Sequence, residues 1–483
     1  MEKTCSSTRK EPSLLHATTP VPDRASSGFL GEFTAYVRRW ISQQQSEQVA
    51  VTREPAGPGR PCELPAEVLW STVLLSVLQR VRGVREIWRA LVCQGYDVCD
   101  QAVYARLERD GTEPLQALFC QISRMLAAWV QSLLEGQSKQ VLAPFARAVL
   151  ALDETTLDPL ARKLPHLRHF KKGAIELLPG KLATLFDVRL QLWQRIDYLA
   201  DVQQNCKVHA RSMLTGLAKG TLLLFDLGYF GFEWLDELTT AGLWYVSRLR
   251  EKTSYTLVHT LYESEEVLDA LVWLGKHQAR AGQMARLVRV RVGGCATHEY
   301  LTNVLDPTVL PVGDLLGLYA RRWDIELAFL LLKEHLHLHL WWNSKLTGIL
   351  QQLWACLIIA HLVQAMRMEI AVRAQVAPFE VSMPLVVRSL PSLLERGQDP
   401  IALVVRRGRQ LGFIRPSRRL QVQVPTILAS DLVPRPADLV LERPACYPAD
   451  AGKPGRKSSN ARYKPKAAPP VWQEADLYVW IAQ

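Results

Sequence analysis

The sequence predicts an α/β protein: a sheet-containing core with an inserted β-rich stretch, an all-α region before it, and a basic, helical and irregular region after it. Three observations carry this. Two short apolar runs, residues 148–152 and 221–225, read as strands, each followed at once by an Asp, and a helical stretch and a third strand follow the second run. Residues 250–306 turn irregular and β-rich, with strands read at 255–259, 287–292 and 299–305. Long apolar segments with helical character lie on both sides, at 66–81 and 113–134 before the core and 346–371 after it.

The 483 residues suggest about three domains. An apolar share of 48% is ample for a large core and excludes global disorder. The net charge of +11 favours an acidic partner such as nucleic acid. Nine cysteines, an odd number with no C-x-x-C, argue against zinc modules and a disulfide framework. Residues 1–15 hold no apolar run and so no secretory signal. The greasiest stretch, 353–366, falls short of the roughly 20 residues that a membrane span needs. A soluble intracellular protein with no membrane partner is expected.

In chain order, residues up to 27 are rich in Ser, Thr and Pro, 32–45 have helical character, and 53–65 read as a linker. Residues 84–111 look like helix–turn–helix. A first helix spans 85–92, a turn falls at 94–96, and a second helix runs from 101 to 109, with Asp100 as cap and Gly111 as stop. Gln101, Tyr104, Arg106 and Arg109 would point outward, as side chains of a recognition helix do. An ordinary helical hairpin is the commoner source of such a pattern, and a DNA enzyme downstream puts DNA contact somewhat ahead of it. Core strands follow at 148–152, 181–187, 190–201, 221–225 and 243–249, with a helix at 232–240. Beyond residue 373 the chain is Pro-rich and basic, with Arg406, Arg407, Arg409, Arg415, Arg418 and Arg419 free of acids and a second cluster from Lys453 to Lys466.

Asp153 and Asp226 each close a buried strand, and strand ends in sheets with parallel strands are where ligands sit. A third acid, Glu326, belongs to the pattern Y-x2-R-x3-E-x6-K formed by Tyr319, Arg322, Glu326 and Lys333. On a helix of about 3.6 residues per turn these four side chains share an arc of roughly 60°. Their neighbours Trp323, Ile325 and Leu327 to Leu332 are apolar, so one helix over 314–334, buried nearly all round, is expected. Charges inside such a helix must face a charged partner. Three converging carboxylates need cations, and hard oxygen ligands suit two Mg²⁺ ions, with Mn²⁺ an alternative. Such a pair activates a hydroxyl and stabilises the leaving oxygen in a phosphodiester displacement.

These residues resemble the cut-and-paste DDE transposases of the insertion-sequence-four group. Asp153 in Leu150-Ala151-Leu152-Asp153 matches the first Asp, Asp226 in Asp226-Leu227-Gly228-Tyr229-Phe230 the second, and Glu326 the acid of the helical signature. The resemblance implies an RNase H-like catalytic core over 141–375, with 250–306 as the inserted β subdomain. Residues 66–140 would be a helical DNA-binding region, 1–65 a loosely ordered segment and linker, and 376–483 a basic C-terminal region. It also implies that Asp153, Asp226 and Glu326 hold the metals and act in catalysis, while Tyr319, Arg322 and Lys333 grip DNA phosphates. The partners implied are double-stranded DNA, both terminal inverted repeats and target, and a second copy of the chain in a synaptic homodimer. The location implied is the bacterial cytoplasm, on the nucleoid. Relatives stack an aromatic residue of the insert on a flipped base; here His298, Tyr300 and Trp273 are the candidates. A DNA nuclease without strand transfer and a transposase-derived DNA-binding protein remain as alternatives.

Three further features are set aside. His335, His337 and His339 alternate with leucines, but a tight connection after a helix explains them better than a metal site. Glu154 and Asp158 are expected to face solvent or cations rather than to extend the acidic cluster. The basic segment 162–181 reads equally as an exposed loop and as one that tracks DNA.

Overall fold

The computed structural model describes residues 64–135, 141–157, 180–200, 205–276, 278–292, 296–338, 340–343, 345–417, 427–447 and 478–480. At its centre are three antiparallel strands, β1 (Val149–Thr156), β2 (Lys181–Asp187) and β3 (Leu192–Leu199). On the other side of β1 lie β4 (Leu222–Leu224) and β5 (Trp244–Arg248), both parallel to it. Between β4 and β5 runs α6 (Phe232–Thr240), and α5 (Cys206–Met213) precedes β4.

The insert does not form a separate sheet. Strands β6 (Tyr255–Glu263), β7 (Val267–Leu274), β8 (Ala285–Val292) and β9 (Ala296–Thr302) extend the core, because β9 pairs antiparallel with β5. With β10 (Tyr478–Trp480) on the far edge, the ten strands run in the order β10-β3-β2-β1-β4-β5-β9-β8-β7-β6.

Successive side chains of a strand face opposite sides of the sheet. Val149, Ala151, Leu222 and Leu224 thus enter one core layer, while Leu150, Leu152, Leu223 and Phe225 enter the other. The second layer is closed by α5 and α6 through Ala210, Met213, Trp234 and Leu238. The first is closed by α1 (Ala66–Leu78), α4 (Glu113–Glu135) and above all α9 (Leu346–Arg373), buried from Ile349 through Ala371.

Helix α9 corrects one expectation. At 28 residues it is long enough to cross a membrane, as is the 23-residue α4. Its apolar residues are instead covered by the sheet and by neighbouring helices, so it is the central core helix. Its polar residues are met there: His361 Nδ1 lies 2.9 Å from Ser123 Oγ, and the amide of Trp193 donates to Nε2 at 3.0 Å.

In the N-terminal region, α2 (Val84–Cys93), a turn at Gly95 and α3 (Asp100–Asp110) stand where a helical pair was expected. Asp100 is the first residue of α3 rather than its cap, and Cys99 holds the cap position. Gln101, Tyr104 and Arg109 are exposed, but Arg106 is not free to point outward. Its guanidinium is tied to Asp110 at 2.5 Å and faces the carbonyl of Leu64. Residues 32–45, Asp158, most of 162–181, His339, Arg418, Arg419 and the cluster from Lys453 to Lys466 lie outside the described residues. Two helices form in the Pro-rich C-terminal part, α10 (Met383–Glu395) and α11 (Pro400–Leu411), each with Pro in its first turn, where no intrahelical N–H is lost.

Candidate active site

The register of β1 and β4 pairs Ala151 with Leu224. Extended by two residues, the register would set Asp153 level with Asp226, just past the end of β4; β1 itself runs on to Thr156, because it stays paired with β2, so Asp153 lies within its strand rather than closing it as expected. Both fall on the same sheet face by alternation, the face that carries the helices after the insert. Each carboxylate anchors one oxygen on nearby backbone. Asp153 Oδ1 accepts from the amide of Glu154, and Asp226 Oδ1 from that of Gly228, both at 2.8 Å. A Cβ at residue 228 would stand 2.9 Å from Asp226 Oδ1, so the D-x-G spacing needs glycine for this close approach.

The third acid comes from a helical stretch that is not one regular helix. Helix α7 (Val312–Arg321) tightens at Arg322 and Trp323, whose amides reach back three residues to Tyr319 and Ala320. Helix α8 (Asp324–Leu330) follows and then widens into a π-turn, Leu331–His335. Such turns recur at functional sites. Nor is the stretch buried all round: Trp323, Leu327 and Leu330 are 54%, 40% and 43% exposed. The apolar residues are split between a core-facing row, with Ile325, Ala328 and Phe329 buried, and an outward row beside Glu326.

The structure gathers the acids around a cation. Arg322 Nη1 lies 2.9 Å from Glu326 Oε1 and 3.8 Å from Asp153 Oδ2. Burial pushes the Asp153 carboxyl up to about 7; the charges of Asp226 and Glu326 push the same way, against its backbone hydrogen bond and Arg322. Asp226 and Glu326 are thus each near enough to Asp153 to oppose its charge. Among the described residues, however, no three His, Cys, Asp or Glu groups stand at metal-ligand spacing. The guanidinium lies between Glu326 and Asp153. By donor chemistry the trio still fits divalent cations, since acidic oxygens that resist sharing one region of space call for positive charge there.

Tyr319 and Lys333 flank this centre. The phenol of Tyr319 is 8% exposed and raised to about 12 by burial. Arg322 lies 5.8 Å over its ring and 4.9 Å over that of Trp323. The Lys333 ammonium bonds to the hydroxyl of Thr155 and the carbonyl of Thr156, two and three residues beyond Asp153 on β1. All six residues singled out by the sequence therefore lie around the ends of β1 and β4.

Residues 149–362 match the family model described as the transposase DDE domain. That stretch, somewhat less than half of the chain, is thereby similar to the DDE domain of transposases. The match opens on the first residue of β1, closes inside α9 and contains all six site residues. No curated protein matches the chain. Among solved structures, the piggyBac transposase synaptic complex with hairpin DNA shares 9% identity at a TM-score of 0.38, over 83% of this chain and 85% of that one, a likeness too slight to bear on the argument.

Three cations near the site escaped the sequence reading. Arg248 ends β5, the strand beside β4, Arg250 follows two residues later, and Lys207 lies in the first turn of α5. Arg250 donates to the carbonyl of Leu227 at 3.1 Å and Lys207 to that of Phe230 at 2.6 Å, so both brace the loop after Asp226. Arg248 meets His298 Nδ1 at 2.9 Å. Their signal was an R-x-R pair at the end of a parallel strand. Of the candidates for base stacking, His298 and Tyr300 lie on this side, with Tyr300 5.1 Å from the ring of Tyr319. Trp273 instead packs under Arg443 at 4.8 Å, away from the acids.

Proposed function

We propose that this chain is a transposase that frees the 3′ ends of its element and joins them to target DNA, using Asp153, Asp226 and Glu326 to hold metal ions. The observation that carries the reading is the level placement of Asp153 and Asp226 on one sheet face with Glu326 within electrostatic reach. The strand order β3-β2-β1-β4-β5, three antiparallel strands then two parallel ones, supports an RNase H-like core. On the same reading, residues 141–375 are the catalytic domain with 250–306 as its insert. Residues 66–140 and 376–483 serve DNA binding on either side, following a linker over 1–65.

Two divalent cations, Mg²⁺ or Mn²⁺, would supply an activated hydroxyl and stabilisation of the leaving oxygen. The protein's own residues do the rest. The pinned Oδ1 atoms of Asp153 and Asp226 fix the direction of each Oδ2. Arg322 offers a planar fork of donors to a phosphate, and Lys333 a compact charge held over the end of β1. Tyr319 keeps its proton at neutral pH and so donates a hydrogen bond rather than repelling the DNA. The partners on this reading are element ends and target DNA, with two copies of the chain pairing two ends in the bacterial cytoplasm.

Strand transfer provides the test. Purified protein, Mg²⁺, a plasmid carrying the gene with its flanking DNA, and a second target plasmid should yield covalently joined products flanked by short single-strand gaps, which become target duplications once a polymerase and ligase fill and seal them. Cleavage without joining would leave a nuclease, and neither reaction would refute the proposal.

A further inference from the structure

We propose that Arg322 is a built-in stand-in cation: it holds Asp153 and Glu326 together until a divalent ion displaces it, and its release to a DNA phosphate couples ion binding to DNA binding. This rests on the reading of the three acids as metal ligands and adds a regulation to that site.

The geometry carries the argument. One nitrogen, Nη1, reaches towards both Glu326 and Asp153. An ion shared by those carboxylates would sit about 2.0–2.1 Å from an oxygen of each and so require the same volume. The guanidinium and the ion therefore exclude each other, by space and by like charge.

Arg322 is also incompletely satisfied where it lies. Its side chain is 7% exposed, and Nε is buried with no acceptor among the described residues. A guanidinium has five N–H donors, and a phosphate takes two of them in parallel. The rings of Trp323 and Tyr319 flank the group without hydrogen bonds to hold it, and the half-exposed Trp323 marks the way out. Its backbone lies at the joint between α7 and α8, outside the regular helix. Displaced by an ion, Arg322 gains most by meeting phosphate; bound to phosphate, it vacates the ion's place. Coupling of this kind acts equally in both directions.

The experiment reads Mn²⁺ binding directly, by the electron paramagnetic resonance of free Mn²⁺, on full-length protein with and without a duplex from the DNA flanking the gene. Without DNA, Arg322→Gln should bind Mn²⁺ about tenfold tighter than wild type, within the usual span of coupling between sites. Arg322→Lys, which keeps a charge without the fork, should fall between them. Adding the duplex should tighten wild type more than Arg322→Gln. Equal or weaker Mn²⁺ binding by both variants without DNA would overturn the proposal while leaving the metal site intact. Asp153→Asn separates the two ideas: if it leaves Mn²⁺ binding unchanged, Asp153 is not a ligand and both readings fall.

Discussion

The side-chain amide of Gln191 donates to the buried carboxylate of Asp324 at 2.7 Å, tying the turn after β2 to the first residue of α8. Arg321 Nε reaches the same oxygen at 2.7 Å and its Nη2 reaches the carbonyl of Val188 at 2.8 Å. Arg367 of α9 bonds to Gln191 Oε1, and both arginines cover the ring of Phe379. Glu326 is thus carried on a helix bolted to the sheet two residues earlier. Removing one partner of a buried ion pair leaves the other unpaired. Asp324→Ala should therefore cost roughly 3–5 kcal/mol in urea unfolding. A loss below about 1 kcal/mol, the worth of a surface pair, would contradict this account.

Glu154 is held apart from Asp153 by a cation of the neighbouring strand. Alternation turns it to the sheet face opposite Asp153, where Lys181 meets it at 2.8 Å with side-chain exposures of 4% for Lys181 and 15% for Glu154. Glu154 thus faces a cation, as one of the two expectations had it, but a buried one of the protein's own β2. Lys181→Met should lower stability by about 3 kcal/mol by stranding the carboxylate. Lys181→Met with Glu154→Gln should recover at least half of that loss. Additive losses in this double-mutant cycle would show that the two side chains do not interact.

The acid limb of stability should report His361. Burial lowers its pKa to about 3, against about 6.5 in an unfolded chain. Nε2 accepts the Trp193 amide, and the ring stacks on the Trp193 indole at 5.3 Å, so a second proton has no place to go. A depressed folded pKa means that the neutral ring's stability is present above about 6.5 and is lost as pH falls towards about 3. His361→Asn should lower stability at pH 7 and flatten the slope between those limits. An unchanged slope would place the proton uptake elsewhere.

The C-terminal segment straps the insert to the core through Asp236. That carboxylate accepts the amides of Gly282 at 2.6 Å and Gln283 at 2.9 Å and bonds to the Tyr447 hydroxyl. Arg443 meanwhile donates to the carbonyls of Ala281 and Leu274. Asp236→Ala should raise hydrogen exchange at Gly282 and Gln283 at least tenfold, while the β1 amides stay protected. Unchanged exchange at both glycine and glutamine amides would remove Asp236 from this role.

What the sequence disclosed was local chemistry. Asp153 and Asp226 were legible because each ends an apolar run, and Glu326 because helical spacing aligned it with Tyr319, Arg322 and Lys333. The π-turn at Leu331–His335 was not, since a fixed helical period assumes that it stays fixed. Exposure of Trp323, Leu327 and Leu330 was missed because apolarity does not reveal what lies opposite. Strand β7 went unread because Asp269 interrupts its apolar run; Arg286 on β8 neutralises it with two bonds at 2.7 Å, a partner seventeen positions away. Segment 427–447 carries no periodicity, since it bonds to the insert through isolated backbone bridges and the side chain of Arg443 rather than through a regular element.

The most direct measurement is Mg²⁺-dependent cutting of a plasmid that carries the gene with its flanking DNA, by wild type and by Asp153→Asn, Asp226→Asn and Glu326→Gln singly. Wild type should cut at the element's ends only with the metal present, and each variant should bind the same DNA but fall at least a hundredfold in cutting rate, on the order of 3 kcal/mol of lost transition-state stabilisation. Normal cutting by any one variant, or wild-type cutting in excess chelator, would contradict the account.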